Sequence, residues 1–166
     1  MKAHFDRFAA YNAWANARLF AACAALPEAD LRRDLGAAFS SLLGTLNHLL
    51  VTDVIWAARL RGQAGPPWAL DHVAHEDFAE LTAAREAMDA DLIRLVGELT
   101  EADMGGQIRY ARVSDPSAVI VQPRAEALAH LFNHQTHHRG QAHALLTRLT
   151  GAAPPLDLLF FQRETA

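Results

Sequence analysis

Histidine is the residue that stands out in this chain of 166 residues: nine are present, and five of them, His130, His134, His137, His138 and His143, crowd into one stretch. Two histidines four residues apart on a helix lie one above the other, about 40° apart around the axis, so both imidazoles can reach one metal ion. His134 and His138 have this spacing, and so do His130 and His134. On a wheel at about 100° per residue, Leu131, Ala142, Leu145, Leu146 and Leu149 mark the apolar face. His138 falls inside that face and His134 on its nearest edge, whereas His130 and His137 turn toward the polar side and His143 points away. The wheel therefore favours His134 with His138. The competing reading is a pair of interior histidines hydrogen-bonded to backbone or water. An imidazole among leucines needs partners for both ring nitrogens, and a metal on one with an acceptor on the other supplies them.

A third ligand must come from another element, with His4, His48, His72 and His75 as candidates. His48 sits in TLNHLLVTD, the most apolar part of the chain, where an unpartnered imidazole is hardest to accommodate. Its wheel neighbours Thr45, Thr52 and Arg59 form the more polar stripe, so pattern alone leaves the third ligand open.

The elements that must position these groups are helical. Phe5, Phe8, Ala9, Trp14, Leu19, Phe20 and Ala24 predict a first helix over 5–26, ended by Pro27. A second, over about 37–60, is apolar around most of its circumference, as expected of a helix with several neighbours. The Gly/Pro-rich stretch 62–67 closes it. A third, over 76–99, carries Phe78, Leu81, Met88, Leu92, Leu95 and Val96 at threes and fours, with its charged pairs read as a solvated face. QIRYARV and SAVIVQ, within 107–121 and separated by SDP, are short β-prone runs that predict a hairpin-like excursion. Pro123 suits the first turn of a fourth helix that runs to Gly151, and Pro154 and Pro155 forbid its continuation. The tail LDLLFFQRE is apolar enough to pack on the bundle or on a neighbouring subunit. The expected architecture is an all-α four-helix bundle, one domain over 1–166, with a short β-hairpin-like excursion before the last helix.

Composition narrows the function classes. The chain is 51% hydrophobic and 20% charged, with 15 Lys+Arg against 19 Asp+Glu, which fits a globular, mildly acidic protein and no nucleic-acid partner. No uncharged apolar run approaches the roughly 20 residues of a membrane span, and MKAHFDRF lacks the apolar core of a signal peptide, so a cytoplasmic location is expected. Cys23, the single cysteine, reads as a small core residue. No catalytic serine triad, phosphate-cradling glycine loop or dinucleotide fingerprint is present.

Four stretches carry a family resemblance: YNAWANARL at 11–19, LNHLLVTDVIW at 46–56, AHLFNHQTHHRGQ at 129–141, and PPLDLLFF near the end. Together they span nearly the whole chain, and it resembles the DinB/YfiT-like family of metalloenzymes, which is unrelated to the DNA polymerase of the same name. The resemblance implies a four-helix bundle holding one divalent metal through one histidine of the second helix and two of the fourth, matching His48, His134 and His138. It also implies a homodimer and, for some members, transfer or isomerisation with a low-molecular-weight thiol.

Three neutral imidazoles leave such an ion net positive with an open position, the arrangement of catalytic sites. Zinc or nickel is the expected metal, and iron, copper or manganese also fit the donors. Gln141, Asn47, Asp53 and Arg139 are candidate supporting groups, and Arg59 or Arg139 could hold a carboxylate-bearing thiol. Trp14 is read as core packing ahead of a pocket wall, with Asn12 and Asn16 bonding across helices. The leading function is a metal-dependent, thiol-using S-transferase or isomerase acting on a small molecule. The alternatives are a metal-dependent hydrolase, a metal-binding stress protein without turnover, and a helical dimer with structural histidines.

Overall fold

Apolar residues recur at threes and fours along four stretches, and each stretch becomes a long helix with that stripe turned inward. The computed structural model describes residues 1–112, 115 and 117–166. In chain order the elements are α1 (Lys2–Cys23), α2 (Glu28–Arg32), α3 (Leu42–Leu60), α4 (Phe78–Glu98), α5 (Glu101–Met104), β1 (Gln107–Ala111), β2 (Val119–Pro123), α6 (Arg124–Thr150) and α7 (Leu158–Glu164). Helix α1 packs along α4 and α3 along α6, while α1–α6 and α3–α4 contacts close a four-helix bundle. No described helix is long and apolar enough to cross a membrane.

Local chemistry sets the ends. The first helix stops at Cys23, three residues short of the expected bound, because Pro27 disfavours a helical Leu26 and instead N-caps the unpredicted α2. The second helix begins at Leu42 rather than near 37. Its first residues form a turn with Ser40 at φ 60°, and the Ser41 side chain caps α3 by accepting from the Gly44 amide. Asp77 caps α4 through the Glu80 amide, moving that start to Phe78. Thr100 and Asp103 form a reciprocal capping box that carves out α5, also unpredicted. Pro123 ends β2 and N-caps α6, one position outside the helical turn expected for it. Gly151, at φ 80°, supplies the left-handed residue that stops α6.

The expected excursion is an antiparallel pair, with Arg109 opposite Val121 and Tyr110 opposite Ile120. Within the runs that predicted it, Val113 and the Ser114 and Pro116 of the SDP separator lie outside the described residues. The tail packs back as α7, where buried Phe161 meets Tyr11 and Trp14.

Halfway along the bundle the inward stripes turn polar. Asn12, Asn16, Asp53, Arg85, Asp89, Gln135 and Arg139 are all buried. Arg85 Nη1 lies 2.8 Å from Asp53 and Nη2 2.9 Å from Asp89, joining α4 to α3. Asn12 and Asn16 donate to Asp89 across the α1–α4 seam and accept from Arg139 Nη1 on α6. Gln135 Nε2 donates to Asp53 and, at 2.9 Å, to the Leu49 carbonyl. The charged pairs expected on a solvated face of the third helix thus include Arg85 and Asp89, which lie inside. Burial holds Asp53 up at about 6 despite the attraction of Arg85. Arg85 is also buried, but the two aspartates keep it firmly protonated.

Removing one member of a buried ion pair costs about 3–5 kcal/mol, because the partner's charge is left uncompensated. Arg85→Met should therefore lower the unfolding free energy by about that amount at pH 8 in urea denaturation. Without Arg85 the two carboxyls are raised further, and a raised carboxyl stabilises the fold at low pH and loses that contribution as pH rises. The deficit should accordingly be smaller at pH 5; an equal deficit at both pH values would show that the carboxylates do not sense Arg85.

Candidate metal centre

His48 projects from the second turn of α3, and His134 and His138 from successive turns of α6, the neighbour along which α3 packs. One ligating nitrogen from each lies within 4.8 Å of the other two. Ring centroids are 5.2 Å apart for His48 and His134, 4.3 Å for His48 and His138, and 4.3 Å for His134 and His138. A divalent ion sits about 2.0–2.1 Å from each imidazole nitrogen, so any two ligating nitrogens stand at most about 4.2 Å apart. The three rings must therefore draw somewhat closer together to close on one ion, since tetrahedral binding sets the nitrogens nearer than that limit.

The ring partners leave the correct atoms free. His48 Nδ1 lies 2.7 Å from the Leu70 carbonyl, which can only accept, so Nδ1 carries the proton and Nε2 is the bare nitrogen. That Nε2 is buried without a hydrogen-bond partner. His138 Nδ1 meets Gln141 Oε1 at 2.8 Å, which likewise leaves its Nε2 free. A second nitrogen fixed by a carbonyl is the usual support of a metal-bound histidine. The donor set and the orphaned atom both fit a divalent ion.

Burial lowers all three imidazoles. His134 is pulled down to about 3, first by burial and then by the neighbouring His138, His48, His130 and His137. For His48 burial outweighs the Leu70 bond, and for His138 it outweighs the Gln141 bond. The cluster is thus neutral at pH 7, the state in which imidazole binds metal.

Two irregular segments cover the cluster. Phe39 stacks on His48 at 3.8 Å and 18° and meets His138 edge-on at 5.6 Å. Its turn approaches α3 so closely that a β-carbon at Gly44 would lie 2.2 Å from the Phe39 carbonyl oxygen. Asn47 grips the connector before α4, donating to the His75 carbonyl and accepting from its amide, both at 3.0 Å. Arg32 bonds to Glu76 from the far side. The connector is thereby tied down a few residues after Leu70, at His75 and Glu76.

The other residues flagged by sequence separate clearly. His130 is exposed on the next turn, its ring 5.6 Å from His134, and Gln141 also reaches His137 at 3.2 Å. His143 bonds the Pro154 carbonyl, His4 packs on Phe8, His72 stacks on Trp68, and His75 lies 3.7 Å from Glu80. Asp53 and Arg139 belong to the buried polar layer, so Arg139 is not a ligand-holding group at this centre. Trp14 donates to Glu164 and packs against α7. Cys23 is buried, its thiol pushed up to about 12, and is inert. Sequence reasoning missed Phe39, Gly44 and the Leu70 carbonyl, which act through tertiary approach, and also Gln135. That glutamine was detectable, because it continues the inward stripe of Leu128, Leu131, Ala142 and Leu146.

The sequence matches the model of the DinB family over residues 1–165. It is also similar to Protein DinB of Bacillus subtilis (strain 168), with 28% identity over 163 residues, covering 93% of this chain and 92% of that protein.

Two outcomes follow from the geometry. Gly44→Ala should cost about 1–3 kcal/mol through overpacking and, by pushing the Phe39 turn off α3, speed the carbethoxylation of His48 read by peptide mass mapping; unchanged reactivity would show that the turn does not shield the ring. The second concerns pH. His134 titrates ordinarily near 6.5 when unfolded and near 3 when folded, so its contribution is complete above 6.5 and is lost as pH falls toward 3. Asp53, a raised carboxyl, acts with the opposite sign, so comparison at one position isolates the imidazole. Between pH 7 and pH 5 the metal-free parent should lose more stability than His134→Asn in urea titrations; parallel curves would refute the buried neutral imidazole.

Proposed function

The chain belongs to the DinB family, and on that premise we propose that it is a divalent-metal-binding protein whose ligands are His48, His134 and His138. We propose further that it is a metal-dependent enzyme acting on a small molecule, with transfer or isomerisation using a low-molecular-weight thiol as the leading reaction. The observation that carries the metal reading is the buried, partnerless Nε2 of His48, in a cluster whose three imidazoles are all lowered. Left empty of any ion, that nitrogen would be desolvated with nothing in return. A divalent ion held there supplies Lewis acidity and an open position, lowering the pKa of a thiol or water bound to it.

The chain's own residues do the rest. Leu70 and Gln141 fix the tautomers and hold the ligating nitrogens toward one another. Phe39 keeps water from one face of His48, and the exposed His130 borders the cluster on the other side as a candidate proton carrier for a substrate. Zinc or nickel suits three nitrogen donors best, with iron, copper and manganese also compatible.

Elemental analysis of untagged protein tests the centre. About one equivalent of metal is expected in the parent and none in the His134→Ala/His138→Ala double variant, with His48→Ala weakened by the loss of one ligand. A parent that is isolated metal-free and also refuses added zinc and nickel would end the metalloprotein reading.

A further inference from the structure

A second site lies beyond Trp56, where the last turn of α3, the stretch 62–67 and β1 enclose a cavity of about 390 Å³. Among the described residues its charged lining is basic on both counts, Arg59 and Arg112, with no carboxylate. Arg59 is held rigidly, its guanidinium 4.6 Å from the centre of the Trp56 ring and 4.4 Å from that of Tyr110. One bond, Nη2 to the Ala111 carbonyl at 3.3 Å, occupies it. A guanidinium has five N–H donors, so most of its capacity is left for a ligand.

Arginine half-removed from water without a counter-ion is costly, and burial does pull Arg59 below its ordinary value, with Tyr110 alone in offsetting it. Among the described residues Arg59 has no acidic side chain within 4.0 Å, unlike Arg85, which has two. The remaining wall is apolar or uncharged: Pro66, Pro67, Tyr110 and Gln63. A planar cationic fork at one end of a small, mostly apolar cavity suits a planar anion with an apolar body better than a free inorganic ion. We propose that this cavity binds a small organic carboxylate, with Arg59 as the anchoring fork and Arg112 as a second positive charge at the rim.

The cavity adjoins the histidine cluster without sharing a ligand with it. Trp56 presents one face to Arg59 and lies 4.8 Å from the His130 ring, which in turn is next to His134. A carboxylate seated on Arg59 is therefore separated from His134 by the Trp56 and His130 rings.

The test uses chelator-treated protein with arginine labelled in ¹⁵N, titrated with potassium butyrate and, separately, potassium phosphate at constant ionic strength. Butyrate should shift the Arg59 Nε–Hε resonance saturably, and calorimetry should find its affinity lowered about tenfold or more in Arg59→Gln and less in Arg112→Gln. Arg59→Lys, which keeps the charge but loses the fork, should bind more weakly than the parent. Phosphate binding tighter than butyrate, no saturable shift in the parent, or a parent-like affinity in Arg59→Gln would each overturn the proposal. Should Arg59→Gln fail to fold, the parent resonance and Arg112→Gln decide the matter. Because no metal is present, failure here leaves metal binding by the histidines untouched, and a metal-free parent leaves this site untouched.

Discussion

The bundle depends on the ionic layer at its middle. Arg85 and Arg139 face Asp53 and Asp89, so the layer is neutral as a whole, and Asn12, Asn16 and Gln135 add hydrogen bonds across it. Taking these charges out of water costs several kcal/mol per ion, and an apolar layer of equal volume would serve stability as well or better. What an apolar layer cannot do is fix which helix faces which, and at what height. Leucines slide past one another by a turn at modest cost, whereas Arg85 meets both aspartates in a single register of α4 against α3 and α1. The layer also reaches the histidine cluster directly. Gln135 follows His134 and donates to the carbonyl of Leu49, which follows His48, so one amide sets the height of one ligand-bearing helix on the other.

That arrangement explains how a cluster of three uncharged imidazoles is held together. Like groups with lowered basicity do not attract one another, and His48 keeps a nitrogen buried without a partner. The cluster is assembled by forces acting elsewhere: the Gln135 bridge beneath it, the Phe39 ring above it, and the Asn47 grip that brings the Leu70 carbonyl to His48. The site is pre-formed at the expense of its surroundings, the condition under which a metal ion meets ligands already in position.

Much of this was legible in the sequence, and the boundary between what was and what was not is physical. The four long helices follow from apolar spacing, and the β pair from runs of β-branched and aromatic residues before Pro123. His134 and His138 could be paired because four-residue spacing is local geometry. His48 could not be chosen by the wheel, since its place depends on how α3 packs on α6; its apolar surroundings favoured it, and family resemblance pointed to it. Arg85 and Asp89 were misread because charge was weighed above position. Leu81, Arg85, Met88 and Leu92 run at four, three and four, so Arg85 stands where a leucine would, as do Asn12 and Asn16 between Ala9 and Leu19. Polar residues inside an apolar stripe are the sequence signature of the buried layer. Phe39, Gly44 and Leu70 left no such signature, because they matter through backbone approach between segments far apart along the chain.

The two helix pairs divide the work accordingly. Helices α1 and α4 meet through alanines, asparagines and the Arg85–Asp89 pair, a seam whose polar contacts come from the chain's own side chains. Helices α3 and α6 carry the histidine cluster, with His48 and His138 near one end of their seam and His134 and His130 along it, and Arg59 lies at the far end of α3. A neutral nitrogen cluster calls for a cation and a desolvated guanidinium for an anion, and α3 carries one group of each kind, His48 in its second turn and Arg59 in its last. Arg85 is given two aspartates as counter-charges, whereas Arg59 has no acidic side chain within 4.0 Å among the described residues and the His48 Nε2 has no protein partner, and that difference marks α3–α6 as the face open to chemistry from outside the chain.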